Sequence, residues 1–452
     1  MSSSSASPAS LTSPVSESNR LGSVDVIRGV SLLGILLMNI VGMGLPDPAY
    51  WDPSGAGGDT GWNLRAWMIT SLFFEGTMRA MFSMLFGAGV LLFTSKGEAK
   101  EAGVSVADAW YRRTIWLFLF GLIHSYLLLW PGEILYMYGL MGFFLFPLRN
   151  WTARGLATLG LGLLLTGAAM SLAENSHVLQ QHALAEAAEL AKARNETPTK
   201  EQTSALEFWE DKQKELKPDE DTRQAFIDGV RGGYLSAVGT KAAVSFMMQT
   251  VFHFRYSYFD VLGMMLLGMA AFKWRILQAE RSTGFYLTLV VVGYGIGLPV
   301  NWHETMTYHA GQFSVLKYYE VGQTYDLGRL STMTGHIGLI MLFCRSGVLP
   351  GLRRALGAVG RMALTNYISQ TLITTTVFVL FRQFGQWERH QLYLLVFGIW
   401  AFQLLLSPWW LARFYFGPME WLWRSLTYWR RQPFRRSPSS AGAGSDGLPV
   451  AA

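Results

Sequence analysis

The sequence predicts an all-α, polytopic integral membrane protein with about ten transmembrane helices. Half of its 452 residues are hydrophobic and only 15% are charged, whereas soluble proteins carry about 25% charged residues. Several apolar runs approach about 20 residues, the length at which a helix spans a bilayer. A transmembrane β-barrel would require short strands of alternating polarity, and the sequence lacks that pattern. These observations define the fold class.

The predicted spanning helices occupy residues 24–44, 64–95, 111–130, 133–149, 152–173, 251–272, 283–302, 328–345, 360–381 and 392–416. The second is too long for an apolar layer of roughly 30 Å, because each helical residue adds about 1.5 Å. It therefore bends near Gly76, includes a re-entrant piece, or consists of two helices joined by a short turn.

The charges of the short junctions predict the orientation. The loop at 45–63 is acidic, whereas the next junction carries Lys96, Lys100, Arg112 and Arg113, and this alternation continues along the chain. Basic junctions lie in the cytoplasm, so we expect both termini there. The net charge of +6 then follows from topology, and no nucleic-acid partner is predicted.

The chain divides into two bundles separated by a hydrophilic insertion. Pro198 and Pro218 interrupt the mixed-charge helices of that insertion, and long loops cross membranes regardless of charge, so we expect an extracytoplasmic cap. The predicted segments are a disordered tail at 1–22, a five-helix bundle at 23–173, the insertion at 174–250, a second five-helix bundle at 251–430 and a basic low-complexity tail at 431–452.

Ionisable and amide side chains at membrane depth are the candidate functional residues, because burying them in lipid is costly. Asp25 and Arg28 lie three residues apart on one helix face. They form either an interfacial ion pair or an anchor for an anionic ligand, since guanidinium suits phosphate. Asn39 lies about 16 Å further along that helix. It serves either as an interhelical hydrogen-bonding amide or as a donor to an oxyanion.

His124 is the strongest candidate for acid–base chemistry. Glu133 follows it across a tight Pro-Gly turn, so two antiparallel helices place both side chains near each other. A histidine oriented by a carboxylate is the arrangement of a general base. The alternative is a histidine that only bonds a neighbouring helix. No His-x-x-x-His motif or carboxylate cluster accompanies it, so no metal site is predicted.

Other polar side chains are candidates for substrate binding. Glu75 and Arg79, four residues apart, form an ion pair at a bend or line a polar cavity. Asn366 and Gln370, also four apart, serve in helix packing or contact substrate. A polar stripe along one helix face, read as a wetted entrance or as part of a substrate site, comprises Gln249, His253, Tyr256 and Asp260. The sequence has no P-loop, which argues against an ATP-driven pump.

The sequence resembles a known family at five ordered motifs: SVDVIRGVSLLGILLMNI, FSMLFGAGV, FGLIHSYLLLWPGEILYMYGL, GRMALTNYISQT and GPMEWLWRSLTY. Together they resemble the bacterial YeiB-like family of membrane proteins of unknown function, from about residue 20 to 430. That family is grouped with a wider superfamily of transmembrane acyltransferases. The resemblance implies a multi-pass protein of the bacterial inner membrane. It also implies transfer of an acyl group from cytoplasmic acyl-CoA to an acceptor hydroxyl or amine outside.

The resemblance also implies residue roles. Many glycan acyltransferases have a histidine eleven residues after the arginine of the first helix, but Asn39 occupies that position here. The base must then come from elsewhere, and His124 is the candidate, oriented by Glu133, with Asn39 as oxyanion donor. Arg28 and Arg361 are expected to contact the donor phosphates.

No permanently bound cofactor is predicted, and acyl-CoA is the expected co-substrate. The expected partners are membrane lipids and a glycan or small-molecule acceptor. Two other functions stay open. A transporter or exporter would use the same buried polar residues as a pathway for a small solute. A sensor or assembly factor would use the insertion as a partner surface.

Overall fold

The computed structural model describes residues 22–99 and 103–436, without the side chains at 96–99, 103–105 and 252–256. These residues form α-helices and no strand beyond an isolated bridge between Phe414 and Arg435. The helices are α1 (Gly22–Gly44), α2 (Gly61–Phe73), α3 (Thr77–Ala99), α4 (Gly103–Tyr126), α5 (Leu135–Leu148), α6 (Ala153–Ala193), α7 (Lys200–Leu216), α8 (Glu220–Arg231), α9 (Tyr234–Met247), α10 (Tyr258–Lys273), α11 (Thr283–Ala310), α12 (Val315–Val321), α13 (Tyr325–Ser346), α14 (Pro350–Arg361), α15 (Ala363–Thr375), α16 (Arg389–Leu411) and α17 (Pro418–Tyr428).

Six helical segments of the described chain are long and apolar enough to cross a membrane: α1, the α2–α3 unit, α6, α11, α13 and α16. The chain is therefore a multi-pass, membrane-embedded helical protein. Several predicted spans correspond to shorter helices. Two of these, α10 and α15, adjoin π-helical segments at Met248–Ser257 and Thr376–Leu380.

The overlong second span is two helices joined by a short turn, one of the three predicted arrangements. Gly76 lies in that turn with φ +66°, in the left-handed region that glycine adopts without steric cost. A Cβ at this position would lie 2.5 Å from the Tyr325 hydroxyl oxygen and 2.8 Å from Cδ of Arg329. Backbone conformation and close packing therefore both require glycine.

The two ends of the bundle differ in charge and in covering. The capped end carries α7, α8, α9 and the last turns of α6, and breaks at Pro198 and Pro218 separate those helices as predicted. The predicted domain boundary at 173/174 is no break, however, because α6 continues for 41 residues, about 60 Å. The opposite, basic end carries Arg112, Arg149, Arg275, Arg345 and Arg430.

Glycines allow the bundle helices to cross closely. A Cβ at Gly268 of α10 would lie 1.9 Å from the Met84 carbonyl oxygen of α3, and one at Gly360 of α14 would lie 1.9 Å from the Asp25 carbonyl oxygen of α1. Small residues let helix backbones approach in this way. The crossings fix α1, α3 and α10 around the polar residues described next.

Candidate functional site

A cavity of about 210 Å³ opens at the basic end, between α1, α3, α4, α5, α14, α15 and α17. Four arginines from four separate segments line it: Arg28, Arg113, Arg361 and Arg424. The carboxylates in the same lining are Asp25 and Glu420. Because guanidinium groups outnumber carboxylates, the cavity mouth favours an anionic ligand.

Aromatic rings and one carboxylate hold the arginines in place. Arg28 Nη1 lies 3.1 Å from Asp25 Oδ1. The guanidinium carbon of Arg113 lies 3.4 Å from the centroid of the Trp423 ring, a cation–π arrangement. This stacking leaves the edge of a guanidinium, where its N–H groups are, available to a ligand.

Glu420 has a separate task. Its carboxylate accepts hydrogen bonds from the backbone N–H groups of Leu364 and Thr365, at 2.6 and 3.1 Å, and from the Thr365 hydroxyl. These N–H groups lie in the first turn of α15 and so have no partner within the helix. A carboxylate at this position interacts favourably with the positive end of the helix dipole. The negative charge of Glu420 is thus engaged by α15.

Tyrosines form the inner wall of the cavity. Tyr138 and Tyr367 both line it, and the Tyr138 hydroxyl lies 2.7 Å from Ser83 Oγ. The Tyr367 ring packs edge-to-face on the His124 imidazole, with centroids 4.8 Å apart. Tyr367 therefore contacts the cavity on one side and His124 on the other.

His124 and Glu133 come together as the turn predicts. The His124 Nδ1 atom lies 3.6 Å from Glu133 Oε1, and both side chains are buried. The other ring nitrogen lies 2.7 Å from the Thr371 hydroxyl. The Glu133 carboxylate accepts hydrogen bonds from the backbone N–H groups of Leu135 and Tyr136 at the N-terminus of α5, which hold it in place beside the imidazole. His124 is fully buried and does not line the cavity, a separation that the sequence did not indicate.

Asn39 lies on the cavity side of α1. It follows Arg28 by eleven positions, about three helical turns, and so shares the face that carries Asp25 and Arg28. The side chain is half-buried. It makes no hydrogen bond with another described residue, so the interhelical bond of the packing alternative is absent from this part of the chain.

Near the capped end lies a second group, the charged cluster: Glu75, Arg79, Asp260, Asp326 and Arg329. Asp260 sits between two guanidinium groups, with Oδ2 2.8 Å from Arg79 Nη1 and Oδ1 2.7 Å from Arg329 Nη2. Arg329 Nη2 also lies 2.6 Å from Asp326 Oδ1. The cluster joins α3, α10 and α13.

The ion pair between Glu75 and Arg79, one of the two predicted arrangements, is absent from the described residues. The two residues lie on opposite sides of the Gly76 turn, so they do not share a helix face. The Glu75 carboxylate instead accepts hydrogen bonds from the Tyr50 hydroxyl at 3.1 Å and the Tyr325 hydroxyl at 3.3 Å. The alternative, a polar lining, matches these contacts better.

Asn366 and Gln370 lie in the interface between α15 and α16. Asn366 Nδ2 donates to the Ser407 hydroxyl at 3.1 Å, and Gln370 Nε2 donates to Gln403 Oε1 at 3.1 Å. Neither residue lines the cavity, so their contacts match the helix-packing alternative. The side chain of His253 lies outside the described residues.

Sequence reasoning missed several site residues. Tyr367 and Arg424 stand within the motifs GRMALTNYISQT and GPMEWLWRSLTY, which supplied the signal, but neither was assigned a role. Arg113 was counted only as a basic junction residue. Arg329 pairs with Asp326, three residues before it, and also with Asp260, which lies 69 positions away along the chain and which sequence spacing does not indicate.

Comparison with known proteins identifies the family. The chain is similar to the uncharacterized protein YeiB of Escherichia coli strain K12, with 31% identity over 421 residues that cover 89% of this chain and 95% of the relative. The chain belongs to the YeiB-like family. A model for a protein family of unknown function, DUF418, matches residues 271–430. This YeiB-like region contains Arg329, Arg361, Tyr367 and Arg424.

Two relatives come from Bacillus species. The uncharacterized protein YxaH of Bacillus subtilis strain 168 is 25% identical over 437 residues, which cover 94% of this chain and 98% of the relative. An uncharacterized 39.9 kDa protein in the amylase 3' region of Bacillus acidopullulyticus is 26% identical over 434 residues, which cover 93% and 97%. No solved structure matches the chain.

Proposed function

We propose that this YeiB-like protein is a transmembrane acyltransferase that takes an acyl group from acyl-CoA. One observation carries the proposal: an arginine-lined cavity ends at a tyrosine wall with a His–Glu pair directly behind it. The arginines suit the phosphates of the donor. The His–Glu pair suits proton transfer at the thioester end.

The distance between the cavity arginines and His124 is comparable with the length of the phosphopantetheine arm of CoA. Arg113 and His124 stand on the same helix, α4, eleven residues apart, which corresponds to about 16 Å along the helix axis. An extended phosphopantetheine arm is of comparable length. CoA phosphates held near Arg113 would therefore place the thioester near Tyr138 and Tyr367.

The proposed reaction is acyl transfer to a hydroxyl or amine. The acceptor heteroatom attacks the thioester carbonyl carbon, the C–S bond breaks, and the sulfur leaves as CoA thiolate. His124 takes the acceptor proton and returns it to the thiolate, so the products are acylated acceptor and CoA thiol. Glu133 stabilises the imidazolium. Asn39, half-buried and without a hydrogen-bond partner among the described residues, donates to the carbonyl oxygen.

Unused hydrogen-bonding capacity around His124 supports this assignment. The His124 Nδ1 atom and the hydroxyl of the adjacent Ser125 are buried without a hydrogen-bond partner among the described residues. Buried polar atoms are normally satisfied by protein or by ordered water. Nδ1 can bond Glu133 when the ring is protonated, which leaves Nε2, now beside the Thr371 hydroxyl, to take the acceptor proton. The Ser125 hydroxyl can bond a polar group of the reactant after the Tyr367 ring rotates.

The test uses purified protein, acetyl-CoA labelled in the acyl group, and a polar extract of bacterial envelope. Free thiol and transferred label are followed together. We expect label transfer by the wild type, and about a 100-fold lower initial rate for His124→Gln, the usual scale of general-base catalysis. His303→Gln, at an exposed histidine, is the matched control. Wild-type protein that transfers no label, or full activity of His124→Gln, refutes the proposal.

The arginine cavity has its own test. Arg113→Gln should raise the KM for acetyl-CoA while leaving kcat near the wild-type value, because Arg113 contacts only the distant part of the donor. A lower kcat with an unchanged KM would contradict the assignment of Arg113 to the phosphates of the donor.

The proposed topology has ten spans, both termini in the cytoplasm, and a position in the bacterial inner membrane. The four spans beyond the six long apolar segments would be α4, of 24 residues, and the shorter helices α5, α10 and α15. Val24 and Tyr428 both line the cavity at the basic end, which supports termini on one side.

Cysteine labelling tests this topology. In a Cys344→Ser background, Glu196→Cys should react with an impermeant maleimide added outside intact cells. Arg430→Cys should react only after permeabilisation. The reverse pattern contradicts the topology.

A transporter is the second candidate, favoured by the charged cluster within the bundle. In proteoliposomes, transport of a solute that keeps its mass and is lost in Asp260→Asn would support it.

A further inference from the structure

We propose that the charged cluster is a binding site for a small amino alcohol of the ethanolamine type, whose ammonium group pairs with Glu75. The ligand would be the acyl acceptor, so that role rests on the proposed function. Binding itself does not depend on it.

The first argument is charge. Among the described residues of the cluster, three carboxylates face two guanidinium groups. Asp260 contacts both arginines and Asp326 contacts Arg329. Glu75 has no ion pair among these residues, since its hydrogen-bond partners are the hydroxyls of Tyr50 and Tyr325. The two tyrosine hydroxyls satisfy lone pairs of the Glu75 carboxylate, but they carry no charge. The negative charge of Glu75 therefore stays uncompensated in this cluster, which is costly in a membrane protein. An ammonium group beside Glu75 completes the balance of this cluster, whereas an anionic group does not.

The second argument is an unused donor in a buried position. Arg329 is 5% exposed, and its Nη1 atom has no hydrogen-bond partner among the described residues. A guanidinium group buried to this extent normally uses its donors. A hydroxyl or ester oxygen of the ligand would accept this bond, which selects an oxygen-bearing amine over an alkylamine.

The third argument is shape. The Tyr325 hydroxyl bonds Glu75, and the Arg329 guanidinium carbon lies 5.3 Å from the centroid of the same tyrosine ring. Glu75 and Arg329 are therefore separated by one tyrosine side chain. Gly76 keeps this spacing, because a Cβ there would overlap both Tyr325 and Arg329. A ligand that contacts both groups is therefore small, and a two-carbon amino alcohol carries its amine and its oxygen on neighbouring carbons.

The fourth argument is access. The Arg79 side chain is 35% exposed, Tyr50 is 36% exposed, and Glu75 is half-buried. The cluster therefore opens on the Tyr50 side while Arg329 forms its buried floor. Free ethanolamine or an ethanolamine lipid headgroup could reach Glu75 by this opening.

The test measures binding to purified full-length protein in detergent at neutral pH, without acyl-CoA. Calorimetric titration compares ethanolamine with N-acetylethanolamine, which lacks the positive charge, and with ethylene glycol, which lacks the amine. We expect saturable binding of ethanolamine and no binding of N-acetylethanolamine or ethylene glycol. Equal binding of N-acetylethanolamine, or no binding of ethanolamine, overturns the proposal without requiring any variant.

Variants then locate the site. Glu75→Gln should weaken ethanolamine binding about tenfold or more, the effect of losing one charge-assisted contact. Glu320→Gln, which removes a carboxylate paired with Lys317, should bind as wild type does. Unchanged binding by a folded Glu75→Gln variant would mean that Glu75 holds a proton rather than an amine, and would refute the site.

Lipid nanodiscs distinguish free ethanolamine from an ethanolamine lipid headgroup as the ligand of this site. If the lipid headgroup occupies the site, phosphatidylethanolamine nanodiscs should abolish binding of free ethanolamine, and phosphatidylcholine nanodiscs should not. Equal binding in both supports the free amine. Ethanolamine binding combined with absent acyl transfer would refute the proposed function and leave this site standing.

Discussion

The crossing of α11 and α13 allows a sharp test of the packing that supports the charged cluster. A Cβ at Gly293 of α11 would lie 2.3 Å from the Gly335 nitrogen and 2.7 Å from the Ser331 carbonyl oxygen of α13. At Gly295, two residues further on, a Cβ would meet nothing within 4 Å. Gly293→Ala and Gly295→Ala are therefore the same chemical change on two faces of one helix.

The expected difference follows from these distances. Ordinary van der Waals contact begins near 3.4 Å, so Gly293→Ala must push the two backbones apart by about 1 Å. Such overpacking costs roughly 1–3 kcal/mol. Alanine gains about 1 kcal/mol of helix propensity over glycine at either position, and that gain cancels between the variants. Gly293→Ala should therefore be less stable than Gly295→Ala by roughly 1–3 kcal/mol.

Denaturant unfolding in mixed micelles measures this difference directly. The displaced helix, α13, also carries Arg329, so Gly293→Ala should weaken ethanolamine binding at the charged cluster while Gly295→Ala should not. Equal stabilities of the two variants would refute the close crossing of α11 and α13.

Three further predictions concern other buried polar groups. Burial lowers the pKa of Lys241, which lies 5.1 Å from the Phe384 ring, to about 8. The unfolded chain then binds more protons between about pH 8 and pH 10.5, so stability should rise with pH in that window. Lys241→Met should abolish this rise and stabilise the protein at pH 7 by up to about 3 kcal/mol. Denaturant unfolding at several pH values between 7 and 10 measures both effects, and an unchanged dependence of stability on pH in the variant would contradict the prediction. Glu420→Gln should cost about 1 kcal/mol by weakening the cap of α15, seen as a lower Tm than that of Glu207→Gln, a change at an exposed carboxylate of α7. Gln403→Leu should cost about 1–3 kcal/mol, because Gln370 loses its partner, and wild-type stability of that variant would show the α15–α16 hydrogen bonds to be unimportant.

The sequence predicted those features that depend on neighbours along the chain. The Pro-Gly turn between α4 and α5 is short, so the approach of His124 to Glu133 follows from local geometry alone. The breaks at Pro198 and Pro218 are likewise local. In each case one or two residues restrict the backbone strongly enough to determine the structure.

Features that depend on distant segments were not predicted. Glu75 and Arg79 stand four residues apart across the predicted bend at Gly76, but the sequence does not show how far that bend separates the two side chains. Of the two carboxylates that contact Arg329, Asp326 lies three residues away on the same helix, but Asp260 could not be identified, since helix packing and not sequence spacing brings it to the arginine. Arg113 and Arg424 resembled the basic residues found at the ends of any membrane helix, and only the folded chain shows that they line one cavity.

The length of α6 has a mechanical consequence. Its 41 residues form one rod without a joint between the bundle and the capped end. A tilt of about 5° at the basic end would move the far tip of a rod of roughly 60 Å by about 5 Å. The position of the cap is thus tied to how α6 leans on α10, where Gly160 and Gly263 face each other. Small rearrangements deep in the bundle are therefore amplified at the capped end of α6.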